Sequence, residues 1–110
     1  MFVTMNRFRI RPEFWADFEE RFRSRESLLA EVPGFVRNMV LRPVEGAGDH
    51  HVVMTIWESR EAFQNWTQSE AFRKAHARAG RTPKEWFSEP SQLEAFESVT
   101  DELSSKRAQP

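Results

Sequence analysis

Between residues 2 and 10 apolar and polar positions alternate. Phe2, Thr4, Asn6, Phe8 and Ile10 fall on one side of an extended backbone, and Val3, Met5, Arg7 and Arg9 on the other. A period of two predicts a β-strand. Pro12 follows at a position that suits a first helical turn. Phe14, Phe18, Phe22 and Leu29 then recur at helical spacing, with Trp15 beside them and charges opposite. This pattern predicts a helix over 12–30, stopped by Pro33 and Gly34. Residues 35–42 read as a second strand, 43–49 as a glycine-containing turn, and 51–57 as a third strand rich in Val, Ile and Thr. Ser59 and Ser69 suit helix N-caps, each with an acidic residue in the turn that follows. Two short helices, 60–67 and 70–79, are expected, with Gly80 as the stop. Residues 80–91 read as a loop and 93–99 as a last strand.

The order β-α-β-β-α-(α)-β is the ferredoxin-like split βαβ pattern, an α+β fold with one antiparallel sheet. Residues 1–100 are expected to form one domain, and 101–110 a frayed polar C-terminal tail. The helices suffice to cover one sheet face. The other is expected to be bare and apolar, and is most simply covered by a second copy, giving a homodimer.

Composition narrows the picture. Ten Phe and four Trp are a heavy load for a single core of 110 residues. Some are therefore available to line a ligand pocket or an interface. The net charge of −1 gives no overall field that would draw nucleic acid. Without cysteine there is no disulfide, thiolate ligand or thiol nucleophile. No stretch approaches the roughly 20 apolar residues that span a bilayer, and the N-terminus lacks a signal-peptide pattern. The expectation is a cytoplasmic protein with no nucleic-acid or membrane partner.

Several positions invite chemistry. Asn6 places an amide on the apolar side of the first strand. Unpartnered, a buried amide costs about 1–3 kcal/mol, so it either bonds neighbouring backbone or is aimed into a pocket. His76 lies four residues after Phe72 on one helix face, with Ala75 and Ala79 beside it. Small neighbours would let a flat ligand approach, and an imidazole on such a face is one way that proteins hold haem iron. The competing reading is a satisfied core histidine. Trp66 shares a face with Ala62 and Phe63, where a lone aromatic is ordinarily core. Arg21 and Arg25 flank Phe22. They either pair with Asp17 or Glu20 or form a basic edge towards ligand carboxylates. His50 and His51 have no partner at metal-ligand spacing. There is no glycine-rich phosphate loop, and spacing suggests no Ser-His-Asp set.

Several segments together resemble a known family. The opening MNRF, the stretch VVMTIWESREAFQNWTQSEAFRKAHA, and ERFRSR with the later PGF are similar to the antibiotic biosynthesis monooxygenase superfamily of dimeric α+β barrels. The combination of Asn6, Trp66 and His76 resembles its IsdG-type haem-degrading monooxygenases. The resemblance implies that haem b is both cofactor and substrate, with His76 as axial ligand to the iron. Asn6 would reach over the distal side, and Trp66 would press on the porphyrin and pucker it. Phe22 and Phe72 would pack on the macrocycle, and Arg21 or Arg25 would meet a propionate. O₂ would be activated on the iron with electrons from an external donor, a reductase or small-molecule reductant. The ring would open to a linear tetrapyrrole with release of iron. Two alternatives stand beside this reading: a cofactor-free monooxygenase of the same superfamily acting on an aromatic or quinone substrate, and a non-enzymatic haem-binding protein. Fold alone does not separate them.

Overall fold

The alternation at the N-terminus does form a strand, β1 (Phe2–Phe8), and three others join it: β2 (Phe35–Leu41), β3 (His51–Trp57) and β4 (Gln92–Glu97). The computed structural model describes residues 1–105. All neighbouring strands are antiparallel, in the order β2-β3-β1-β4. β3 is thus inserted between β1 and β2, as the split βαβ pattern requires. Three helices complete the fold: α1 (Trp15–Ser24), α2 (Arg60–Thr67) and α3 (Glu70–Ala79). The Ser59 and Ser69 hydroxyls accept from the N–H groups of Ala62 and Phe72, both at 3.1 Å. Each cap thereby satisfies one of the free amides of its helix.

The register assigns the two sheet faces. Phe2, Thr4, Asn6 and Phe8 stand with Trp57, Thr55, Val53 and His51 on the helix side. Phe2 packs on Phe63 of α2, and Phe8 on Phe18 of α1. The core gathers at the Phe2 end of this face, from Phe2, Leu29, Trp57 and Trp66. The opposite face carries Val3, Met5, Met39, Val52, Met54 and Ile56 across the three neighbouring strands. Phe96 joins them from β4, 47% exposed. No helix among the described residues covers this face.

The first helix is shorter than its hydrophobic period predicts. It ends at Ser24, whose hydroxyl donates to the Glu20 carbonyl at 2.8 Å, and Arg25 is extended. Leu29 is still buried, but it arrives from a loop in which its N–H bonds Ser27 Oγ and its carbonyl accepts from Val32. Side chains that compete for backbone hydrogen bonds favour such a stop. Gly34 then opens β2 at φ +80°, where an added Cβ would lie 2.4 Å from Ala62 Cβ. Only glycine meets both demands.

The predicted loop 80–91 contains a short 3₁₀ turn, Lys84–Trp86, and is anchored to the chain leaving β1. Ile10 and Phe87 form a bridge, and the Arg11 N–H donates to the Trp86 carbonyl at 2.8 Å. Residues 101–105 are exposed and carry no helix or strand, while residues 106–110 of the predicted tail lie outside the described residues. No helix of the described residues is long and apolar enough to cross a membrane.

Candidate functional site

The three histidines have different environments. His50 lies between two carboxylates, its Nδ1 2.6 Å from Asp49 and its Nε2 2.9 Å from Glu89. His51, at the start of β3, is fully buried. Its Nε2 donates to Glu19 Oε2 at 2.8 Å, and Trp15 and Phe18 meet its ring edge-on. His76 is exposed on α3, and its imidazole has no hydrogen bond or ion pair among the described residues. The core histidine of this chain is therefore His51, paired through Nε2 while its buried Nδ1 has no hydrogen-bond partner among the described residues. His76 is the histidine whose ring no other described residue engages through a hydrogen bond or ion pair.

An aromatic row leads from the core to His76. Trp66, 9% exposed, sits 6.1 Å from Trp57 and meets Phe72 edge-on at 5.6 Å. Phe72 in turn lies 5.6 Å from the His76 ring. The α2–α3 connection thus seats Trp66 in the core and carries its packing through Phe72 to the imidazole.

Asn6 lies on the helix side of β1, as its alternation predicts. It is partly buried, and its amide makes no hydrogen bond among the described residues. Its cross-strand neighbour on β4 is Leu93, which shares this face and is 58% exposed. The helix layer therefore leaves the sheet open beside the Asn6 amide.

On the α1 side, Arg21 reaches across to α3, donating to the Arg78 carbonyl at 3.3 Å, and lies 5.8 Å from the Trp86 ring. Arg25 stacks over Phe22 at 4.5 Å. Of the two readings of this pair, ion pairing with Asp17 or Glu20 does not form among the described residues, and Glu20 pairs with Arg23 instead. Burial, and then the nearby Arg78 charge, hold the Arg25 guanidinium below its usual proton affinity.

Sequence reasoning missed the cluster behind His51. Glu19 is nearly buried and grips Arg42, whose Nε donates to it at 2.8 Å, as well as His51. The Arg42 hydrogen bond holds its carboxyl at about 2, against the opposing effect of burial, with His51 adding to the lowering. Glu19, Arg42, Phe22, Arg25, Asn38 and Val40 line a cavity of about 440 Å³ between α1 and β2, joined by Arg23. Neither Asn6, Trp66 nor His76 lines it, and β2 is the sheet edge opposite β4. Glu19 sits one helical turn after Trp15 and beside Phe18. Its position on the apolar stripe was the available signal for a buried, paired carboxylate. Among the described residues no group of three or more His, Cys, Asp or Glu side chains is arranged to hold a bare metal ion.

β1 therefore carries an unengaged amide at Asn6, α3 an unengaged imidazole at His76 beside Phe72, and the α1–α3 junction the cations Arg21 and Arg25, while neither Asn6 nor His76 lines the cavity between α1 and β2. Such a set suits a flat, largely apolar ligand with acidic groups at its rim and a centre able to take a nitrogen donor. The profile of the family described as antibiotic biosynthesis monooxygenase matches residues 1–78. A protein named heme oxygenase (mycobilin-producing), from Mycobacterium tuberculosis, is 37% identical over 75 residues, 68% of this chain and 70% of that one. The structure of the heme-degrader MhuD from M. tuberculosis, with two hemes bound in its active site, matches with a TM-score of 0.73 at 31% identity, covering 94% of this chain and 100% of that one. A mutant of SnoaB, a cofactor-independent oxygenase from Streptomyces nogalater, matches with a TM-score of 0.66 at 27% identity, covering 91% and 94%. By sequence and by fold, this chain belongs to the antibiotic biosynthesis monooxygenase family.

Proposed function

We propose that this protein is a haem-degrading monooxygenase working as a homodimer, with each subunit holding haem between its sheet and its helices. The observation that carries the reading is His76, the histidine left exposed and unengaged at the end of the Trp66–Phe72 row. The similarity to a mycobacterial heme oxygenase supports it. Haem b, when bound, supplies iron that activates O₂ with electrons from an external reductase or small-molecule reductant, and is itself consumed to a linear tetrapyrrole and free iron.

The chain's own residues have distinct tasks. His76 would hold the iron through an imidazole nitrogen that the described residues leave unengaged. Asn6 offers an amide N–H in apolar surroundings, orienting a polar group there without being a proton source. Trp66 and Phe72 set the shape of the wall against which the macrocycle lies, and with Phe22 they exclude water. Arg21 and Arg25 face the carboxylates. The apolar outer sheet face, with Val3, Met5, Met54 and Ile56, would pair with the same face of a second copy.

The match to SnoaB favours a second reading, a cofactor-free oxygenation of an aromatic or quinone substrate in which Asn6 and His76 orient that substrate. Haemin titration separates the two. The haem reading expects a Soret band saturating near one haem per subunit. It also expects loss of that band, with release of chelatable iron, when ascorbate is added under air. No band would leave the cofactor-free reading standing, and a band stable to reductant would mean haem binding without turnover.

A further inference from the structure

The turn before β3, the chain leaving β1 and the loop 80–91 meet in one closed circuit of charges. His50 ends the turn, and its side chain is only 18% exposed. Its Nδ1 faces Asp49 Oδ1 at 2.6 Å, and its Nε2 faces Glu89 Oε1 at 2.9 Å. Arg9 stands between the same two carboxylates, 3.0 Å from Asp49 Oδ2 and 3.9 Å from Glu89 Oε2. Among the described residues, these are the charged groups that face His50 or its partners: Asp49 from the turn, Glu89 from the loop, and Arg9 from the end of β1. An ionised carboxylate only accepts, so each imidazole nitrogen needs a proton to bond one. Neutral imidazole has one N–H and the imidazolium has two. A carboxylate on each nitrogen is therefore the geometry of the imidazolium, and with Arg9 it closes a circuit of two cations and two anions. The Asp49 carboxyl is held below its ordinary value, first by the His50 hydrogen bond, against desolvation, with the Arg9 charge adding to the lowering.

We propose that this circuit is a proton-operated latch: the His50 imidazolium fastens Glu89 to the β2–β3 turn, and neutral His50 releases it. The two contacts are not equivalent. Asp49 adjoins His50 in sequence and keeps Arg9 at 3.0 Å, whereas Glu89 has, among the described residues, only the longer Arg9 contact besides His50. A neutral imidazole that keeps its proton on Nδ1 turns a lone pair towards Glu89, and that contact becomes repulsive. Before Glu89 the loop stays anchored by bonds that carry no charge. The Arg11 N–H donates to the Trp86 carbonyl, Ile10 and Phe87 form their bridge, and the Ser88 N–H donates to the Arg9 carbonyl at 2.9 Å. After it, β4 begins at Gln92, and Leu93 is the cross-strand neighbour of Asn6. The segment set free is therefore 89–91, which leads the chain to the open sheet beside the Asn6 amide. The latch ties the freedom of that rim to pH between about 5 and 8, the range in which imidazole ordinarily changes charge. It makes no use of haem and is independent of the function proposed above.

The test is amide hydrogen exchange of the full chain, read by mass spectrometry at about pH 5.5 and about pH 8. Rates are divided by the intrinsic chemical rate at each pH to give protection factors. Peptides covering 88–93, and α2 as a control, are followed in wild type, His50→Gln and Glu89→Gln. Wild-type protection over 88–93 is expected to fall about two- to fivefold from the lower to the higher pH, the modest scale of ion pairs that water reaches. Protection of α2 should not change. His50→Gln has no charge to lose, and Glu89→Gln keeps an acceptor without the charge, so each should protect 88–93 equally at both pH values. A wild-type segment protected equally at the two pH values would overturn the latch. A fall that persists in His50→Gln would also overturn it, since another group would then carry the effect. A fall shared by α2 would do the same, because it reports global stability rather than release of one segment. The two variants probe the contact from either side, so failure of one to fold leaves the other to decide.

Discussion

His76 lies 5.6 Å from the Phe72 ring, with the two planes inclined by 33°. Among the described residues Phe72 is the one ring in contact with the imidazole, and its other aromatic neighbour is Trp66. The orientation of the proposed iron ligand therefore depends on packing that begins in the core. Phe72→Ala is expected to lower stability by about 2 kcal/mol, below the range for a fully buried Phe because this ring is only partly buried. It should also broaden haem binding, with urea denaturation and a haemin titration as the two readouts. A variant that loses stability but binds haemin as tightly as wild type would show that Phe72 does not position His76.

Asn6 is proposed to orient a polar group beside the sheet. Its side chain has no protein partner to lose among the described residues, so Asn6→Ala should fold normally and bind haemin within about threefold of wild type. Turnover with reductant should fall by on the order of 100-fold, the loss typical of removing a placed donor from a reacting centre. Undiminished turnover would take Asn6 out of the chemistry.

Glu19 ties α1 to β3 and to the chain after β2 through His51 and Arg42. Its carboxyl is lowered from 4.5 to about 2, chiefly by the Arg42 hydrogen bond. A carboxylate with a depressed folded pKa adds stability that is complete above the unfolded value and is lost as the pH falls towards the folded one. Glu19→Gln should therefore cost about 3 kcal/mol near neutral pH, since it strands a buried partner. The gap to wild type should narrow between about pH 4.5 and pH 2. Urea denaturation of both proteins across that window checks it, and a gap independent of pH would contradict the assignment.

Gly34 and Gly46 share nearly the same backbone angle, φ +80° and +82°, but only Gly34 faces a neighbour. Gly34→Ala is expected to cost about 2–4 kcal/mol, from left-handed strain plus overlap with Ala62. Gly46→Ala should cost about 1 kcal/mol from strain alone. Equal thermal shifts for the two variants would mean that the Ala62 contact has relaxed at no cost.

Much of the fold was legible because its signals are local. The period of two over Phe2–Phe8, the serine caps of α2 and α3, and the single-sided helix patterns led directly to the strand order and the bare apolar face. The end of α1 was not legible. Leu29 continues the helical spacing of Phe14, Phe18 and Phe22, and burial alone does not distinguish a side chain carried by a helix from one delivered by a loop. For the site, the pattern placed Asn6 on the helix side of the sheet and His76 beside Phe72, both as found. It did not reveal which histidine would be buried, because the partner of His51 is Glu19, 32 residues away in sequence. The grouping of Arg78 with Arg21 was hidden for the same reason, since 57 residues separate them. Contacts that span the chain set the electrostatics of this site, and periodicity does not carry them.

The central claim is that His76 holds haem for destruction. It is tested most directly by adding haemin to wild-type and His76→Ala protein in parallel, recording the Soret band, and then adding ascorbate under air with an iron chelator present. Wild type is expected to give a saturable Soret band near one haem per subunit, bleached by reductant with iron captured by the chelator, and His76→Ala neither tight ligation nor iron release. A His76→Ala protein that binds and degrades haem as wild type does would contradict it.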